Sequence, residues 1–156
     1  MIEYCADQVE EKLTRALVAD FLKRFKKIAS EDYVVFRNRP EYKATSLYLG
    51  IVPAQATKVV MELGAANYYK RPAFTNGPEG EETWEFGTDI LGEQLYVKLQ
   101  INKKHNKAIC ISFHIATWPI KYPLAATSSL PLRILNIASR GAQEYLTEQS
   151  WSSLSL

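Results

Sequence analysis

Apolar residues at Val9, Leu13, Leu17, Phe21, Leu22, Phe25 and Ile28 recur at three- and four-residue steps. That spacing predicts a helix over Val9 to Ala29 that buries one stripe. Its acidic start (Glu10, Glu11) and basic end (Lys26, Lys27) suit the helix dipole. Ser30-Glu31-Asp32 ends it, and Tyr33-Val34-Val35-Phe36-Arg37 reads as a short strand. Pro40 opens a second helical segment running to about Leu49, with Gly50 as its C-cap. Pro53 starts a third, whose buried side is Val59, Val60 and Leu63, before Gly64. From Arg71 to Gly80, two prolines, two glycines and an asparagine read as a loop. Three strands follow, about Thr83–Phe86, Glu93–Ile101 and Lys107–Ile115, the last two joined by a turn at Asn102–Asn106.

Helices followed by consecutive strands imply an α+β domain with an antiparallel sheet, covered by the N-terminal helices on one face. Strand alternation then sorts the side chains, because residues two apart share a face. Leu95, Val97, Leu99 and Ile101 oppose Gln94, Tyr96, Lys98 and Gln100. Ile109, Ile111 and Phe113 oppose Cys110, Ser112 and His114, and Trp84 and Phe86 oppose Glu85. With the apolar sets under the helices, Glu85, Tyr96, Lys98 and His114 converge on the exposed face. A carboxylate, a phenol, a cation and an imidazole on one rigid surface suit acid–base chemistry. They fit RNA cleavage by its own 2′-hydroxyl, in which a base takes that proton, an acid protonates the departing 5′-oxygen, and cations stabilise charge on phosphorus. Histidine titrates near neutrality, so His114 serves either proton-transfer role.

Composition narrows the setting. At 156 residues, 47% hydrophobic and 23% charged, the chain is one domain with a packed core. Beyond Pro123 the composition shifts to Ser, Ala and Leu, so the chain divides into a domain over 1–123 and an extension over 124–156. In that extension, Pro131 to Gln149 is a further helix candidate. The apolar runs are too short to span a membrane, and the first residues lack the basic-then-apolar pattern of a secretion signal, so a cytoplasmic protein without membrane contact is expected. Two cysteines, Cys5 and Cys110, are too few for a disulfide framework.

A net charge of +2 does not announce a nucleic-acid partner. Lys23–Lys27 and Lys103–Lys107 are basic and Glu79–Glu85 acidic, patterns that solvated surfaces also carry. A metal site is the weaker use of the same residues: Cys110 and His114, four apart on a strand, stand roughly 13 Å from one another, and His105 lies in a turn. No metal or other cofactor is expected. The chain holds neither a G-x-x-x-x-G-K-[ST] phosphate loop nor a G-x-S-x-G elbow.

Leu49-Gly50-Ile51, Asn67-Tyr68-Tyr69-Lys70, Trp84-Glu85, Leu95-Tyr96-Val97-Lys98-Leu99 and Ile111-Ser112-Phe113-His114 occur in an order and spacing that resembles the MqsR (motility quorum-sensing regulator) toxins. These are messenger-RNA interferases of type II toxin–antitoxin systems with a RelE-like fold. The resemblance covers about Val9 to Pro123. It implies that the family's Tyr-Lys motif falls on Tyr69-Lys70, making Lys70 a phosphate or transition-state contact, and that its Tyr-x-Lys strand is Tyr96-Val97-Lys98. Tyr69, Arg71 and Ser112 become RNA-binding candidates. Two positions depart from the family: its Trp-Gln is Trp84-Glu85 here, and its Ser-Phe-Lys is Ser112-Phe113-His114. Both substitutions introduce a side chain able to exchange protons.

Three function classes follow. The first is a metal-independent endoribonuclease toxin acting on single-stranded mRNA, silenced by a cognate antitoxin protein, with the ribosome as a further partner. The second is a non-catalytic RNA-, ribosome- or protein-binding module on the same fold. The third is a protein interface.

Overall fold

The computed structural model describes residues 2–71 and 80–125, with side chains from residue 6 onward. The chain runs α1 (Ile2–Glu31), β1 (Val34–Phe36), α2 (Pro40–Leu49), α3 (Pro53–Met61), a 3₁₀ turn (Ala65–Asn67), β2 (Tyr68–Lys70), β3 (Glu81–Ile90), β4 (Glu93–Asn102) and β5 (Lys107–Ile115). The five strands form one sheet in the order β1-β5-β4-β3-β2. This is the expected α+β architecture, in an arrangement consistent with a RelE-like domain. Most of the Arg71–Gly80 loop and the helix expected over Pro131 to Gln149 lie outside the described residues. Among the described residues, no helix is long and apolar enough to cross a membrane.

The sheet is mixed rather than purely antiparallel. β1 lies parallel to β5, pairing Val34 with Ala108 and Phe36 with Cys110. The short strand expected at Tyr33–Arg37 thus becomes an edge. Past the end of β1, α2 takes over, and the Ile115 N–H donates to Thr45 Oγ1 at 3.0 Å. At the other edge, β2 pairs antiparallel with β3. This strand was not foreseen, because three residues are too few to show alternation. Gly50 closes α2 at φ +67°, the left-handed conformation that glycine adopts without steric cost.

Helix and sheet meet through aromatic rings. Phe21 of α1 lies 6.0 Å from Trp84 and 6.3 Å from Phe86 between ring centroids. Val18 and Phe25 of α1, Val60 of α3, and Val97 and Leu99 of β4 belong to the same buried cluster. Phe36, Tyr42 and Phe113 extend it towards α2. The first half of the α1 stripe does not join: Val9, Leu13 and Leu17 are exposed. A helix of 30 residues reaches about 45 Å, more than a ten-residue strand can cover at about 33 Å. Its early turns lie beside Tyr68 and the chain near Leu124, whose carbonyl accepts from Arg15 at 2.8 Å.

A polar tie crosses this interface. Arg24 donates to both Glu82 carboxylate oxygens, at 2.9 and 3.1 Å, and Trp84 Nε1–H donates to Oε2 at 3.1 Å. Burial pushes the Glu82 carboxyl upward, but Arg24, Trp84 and Lys103 outweigh it and hold the group below its usual range. A carboxylate depressed on folding contributes stability that is complete above the usual glutamate range and is lost as pH falls below it. Arg24→Ala is expected to lower unfolding free energy by about 1–3 kcal/mol at neutral pH, because it takes the two-pronged guanidinium from a buried carboxylate and leaves it only Trp84 and the more distant Lys103. Glu82→Gln should flatten the acid limb of the stability–pH curve, measured by denaturant midpoints between pH 3 and 7.

Candidate functional site

Ten consecutive backbone pairs, Glu81 with Asn102 through Ile90 with Glu93, lock β3 against β4. Cross-strand partners share a face. With Trp84, Phe86, Val97 and Leu99 in the core, Glu85, Gly87, Tyr96 and Lys98 stand on the opposite side. The flanking strands extend this into two transverse rows. The first runs Lys70 (β2), Glu85 (β3), Lys98 (β4) and Ser112 (β5), each the Cα partner of the next. The second runs Gly87, Tyr96 and His114. The structure therefore brings all five expected catalytic side chains to one face.

Both outer strands are irregular at the first row. In β2 the register shifts between Tyr68, opposite Phe86, and Lys70, opposite Glu85, leaving Tyr69 as an extra residue. In β5, Ser112 pairs with Lys98 but Cys110 pairs with Leu99, leaving Ile111 extra. Each bulge turns two neighbouring side chains towards one face. The second bulge also corrects the expected sorting of β5. Cys110 and Ala108 belong to the core, while Ile109, opposite Gln100, lies on the far face. Cys110 donates through Sγ to the Ser112 carbonyl across the bulge at 3.3 Å, and burial pushes its thiol far upward.

This face is not open, as the alternation alone suggested. Glu85 is 5% exposed and Tyr96 8%. Part of the cover is the chain after β5. Gln94 holds it with both ends of its amide: Nε2 donates to the Ile120 carbonyl at 3.0 Å and Oε1 accepts from the Ile120 N–H at 2.8 Å. Ile120 and Tyr122 pass directly over Gly87, where a Cβ would lie 3.0 Å from Ile120 carbons and 3.1 Å from the Tyr122 hydroxyl. Asn67 holds the same point from the other side, donating to the Gly87 carbonyl at 2.9 Å. Trp118 lies against Tyr96 at 5.7 Å between centroids and donates its indole N–H to the Tyr69 hydroxyl at 3.1 Å.

Tyr96 is the hub. Its phenol is raised well above the ordinary range by burial first and then by the Glu85 carboxylate, with Tyr69 adding and Arg39 opposing. It stays a neutral O–H, a donor rather than a base. On its other side, the His114 ring lies 5.3 Å away. His114 Nδ1 is 2.9 Å from the Ile115 carbonyl, a hydrogen bond only when Nδ1 carries the proton, which leaves Nε2 as the acceptor in the neutral ring. Arg39, His114 and Ser112 line a small cleft beside it. Lys70 is exposed, its Nζ 5.3 Å over the Tyr69 ring.

Of the RNA-binding candidates, Tyr69 and Ser112 join this cluster and Arg71 does not: its guanidinium lies 4.7 Å over Trp84, a core-side ring. Sequence reasoning missed Arg39, Gln94 and Trp118. Arg39 sits at the N-cap of α2, immediately before Pro40. Trp118 carried one signal, a large aromatic beyond a strand end where no core position called for it. Among the described residues, no group of three or more His, Cys, Asp or Glu side chains is gathered as a metal site.

Gly87→Val tests the covering segment. A branched side chain has no room beneath Ile120, and overpacking of this kind costs about 1–3 kcal/mol. The expected outcome is a lower unfolding midpoint with a red-shifted tryptophan emission as the segment around Trp118 lifts.

In comparisons with known proteins, no family model, no curated protein and no solved structure matches the chain.

Proposed function

We propose that the protein is an endoribonuclease that cleaves single-stranded mRNA without a metal ion, a toxin of the MqsR type held silent by a cognate antitoxin protein. The observation that carries this reading is the register. Glu85, Lys98, Tyr96 and His114 occupy neighbouring positions on one rigid face, with Lys70 at its edge. Glu85 and His114 are two strand spacings and one row apart, about 12 Å between their backbones, room for one ribose-phosphate between them.

In the reaction the 2′-oxygen bonds to phosphorus as the 5′-oxygen leaves. The products are a 2′,3′-cyclic phosphate and a free 5′-hydroxyl. Glu85 and His114 divide the two proton transfers, one removing the 2′-hydroxyl proton and the other supplying the leaving oxygen. Lys98 and Lys70 neutralise the phosphate, and charge gathers there in the transition state, which is where fixed cations count most. Tyr96, kept protonated, donates towards Glu85 and fixes its orientation. Tyr69 and Ser112 flank the path of the strand.

A second reading, binding of RNA, the ribosome or a protein without cleavage, is favoured by the burial of Glu85 and Tyr96, which leaves Lys70 and Trp118 as the groups a ligand meets first. The two readings separate in one experiment: purified protein incubated with a single-stranded RNA in excess EDTA, with 5′-end mapping of the fragments. The expected result is cleavage leaving 5′-hydroxyl ends. Glu85→Gln and His114→Ala should each reduce the rate by about 10²- to 10⁴-fold, the range of a lost general acid or base. Binding without fragments overturns the endonuclease reading, and cleavage only with added Mg²⁺ overturns the metal-free mechanism.

A further inference from the structure

Trp118 is the largest exposed side chain next to the two rows, and its pose is fixed. It is 44% exposed, yet one edge is tied by the hydrogen bond to Tyr69 and the ring rests against Tyr96. The backbone two residues on is clamped by Gln94. An indole needed only to fill the core would turn inward, and one without a role would be free to rotate. This one is held with much of its surface in water.

Its neighbours have a consistent chemistry. Tyr69, Trp118, Tyr96 and His114 form a continuous run of rings, with successive contacts given by the Trp118–Tyr69 hydrogen bond and centroid separations of 5.7 and 5.3 Å. Cations border that run: Lys70 over the Tyr69 ring, and Arg39 close enough to Tyr96 to influence its titration. Aromatic faces for bases beside cations for the backbone are the elements with which proteins hold single-stranded nucleic acids. Stacking tolerates any base, and duplex strands hide their base faces.

We infer that Trp118, locked by Tyr69, is a stacking subsite for one nucleobase of single-stranded RNA, adjacent to the nucleotide lying over Glu85 and Lys98. This rests on the RNA reading of the site but not on its catalytic half. The subsite governs capture and single-strand preference; the proton-transfer residues govern turnover. Tyr69 acts through Trp118 as a positioning residue, since its hydroxyl accepts the indole N–H.

The test uses an uncleavable 2′-O-methyl oligonucleotide of mixed sequence and the full chain. Binding should quench tryptophan emission, and the quench should be lost in Trp118→Leu. Affinity should fall by about 5- to 100-fold in Trp118→Leu, the range of one lost base stack. It should be partly restored in Trp118→Phe, which keeps a ring but not the indole N–H, and fall less in Tyr69→Phe, which loses only the lock. With a cleavable RNA, the Trp118 variants should raise KM with little change in kcat, whereas Glu85→Gln should lower kcat with affinity for the 2′-O-methyl strand retained. Unchanged affinity in Trp118→Leu, equal binding of duplex and single strand, or no binding by the wild-type chain overturns the subsite. Tight, Trp118-dependent binding by a protein that never cleaves RNA overturns the endonuclease reading and leaves the subsite standing.

Discussion

The constraint from which the site follows is the ten-pair ladder between β3 and β4. A shift of one residue in that pairing would exchange the faces of every side chain on one strand relative to the other. The Trp84, Phe86, Val97 and Leu99 side chains would then not lie together under Phe21. Burial of those groups is thus what holds Glu85 and Lys98 side by side. The polar face has no comparable force to set its own register. It is positioned by the apolar residues behind it, and Arg24 and Glu82 reinforce the same alignment from the α1 side.

That dependence explains which residues were legible in the sequence. Over Trp84–Phe86 of β3 and from Gln94 along β4, large apolar and polar residues alternate, so Glu85, Tyr96 and Lys98 could be sorted from spacing alone. On β5 the alternation looks equally regular, but the bulge at Ile111 reverses it halfway along. Ser112 and His114 still land where expected, because they lie on the same side of the bulge as Phe113, the residue that sets the apolar face of that half. Cys110 and Ile109 lie beyond it and exchange places. A β-branched apolar residue gives no hint of a bulge, since isoleucine is as suitable for a regular strand as for this one.

The cover over the far face was not legible for a different reason. Its attachments join residues remote in sequence, Gln94 with Ile120 and Trp118 with Tyr69, and each partner taken alone looks ordinary. Gln94 reads as a polar strand residue on the wet side. Gly87 was a visible irregularity, a glycine inside a strand, and that position commonly marks close approach by another segment. It does so here, with Ile120 occupying the space a side chain would take. Arg71 illustrates the opposite error: adjacency to Tyr69-Lys70 in sequence does not carry it to the same face, because the strand ends and its guanidinium finds Trp84.

The order of charges in the first row has a consequence for how any anion must bind. Glu85 lies between Lys70 and Lys98, so the empty row alternates cation, carboxylate, cation. A phosphate approaching either lysine competes with Glu85, and at a shared spacing of about 5 Å between strands the carboxylate also repels it. Such a row is a poor trap for free anions. A ligand that engages it must supply attraction elsewhere or arrive with a group that Glu85 can accept a proton from, and a nucleotide strand offers both, with a base for the neighbouring rings and a 2′-hydroxyl beside the phosphate. On the RNA reading proposed above, the register order Lys70, Glu85, Lys98 suits ribose-phosphate better than bare phosphate. That preference would come from the order of three residues, with no dependence on the modest net charge of the chain.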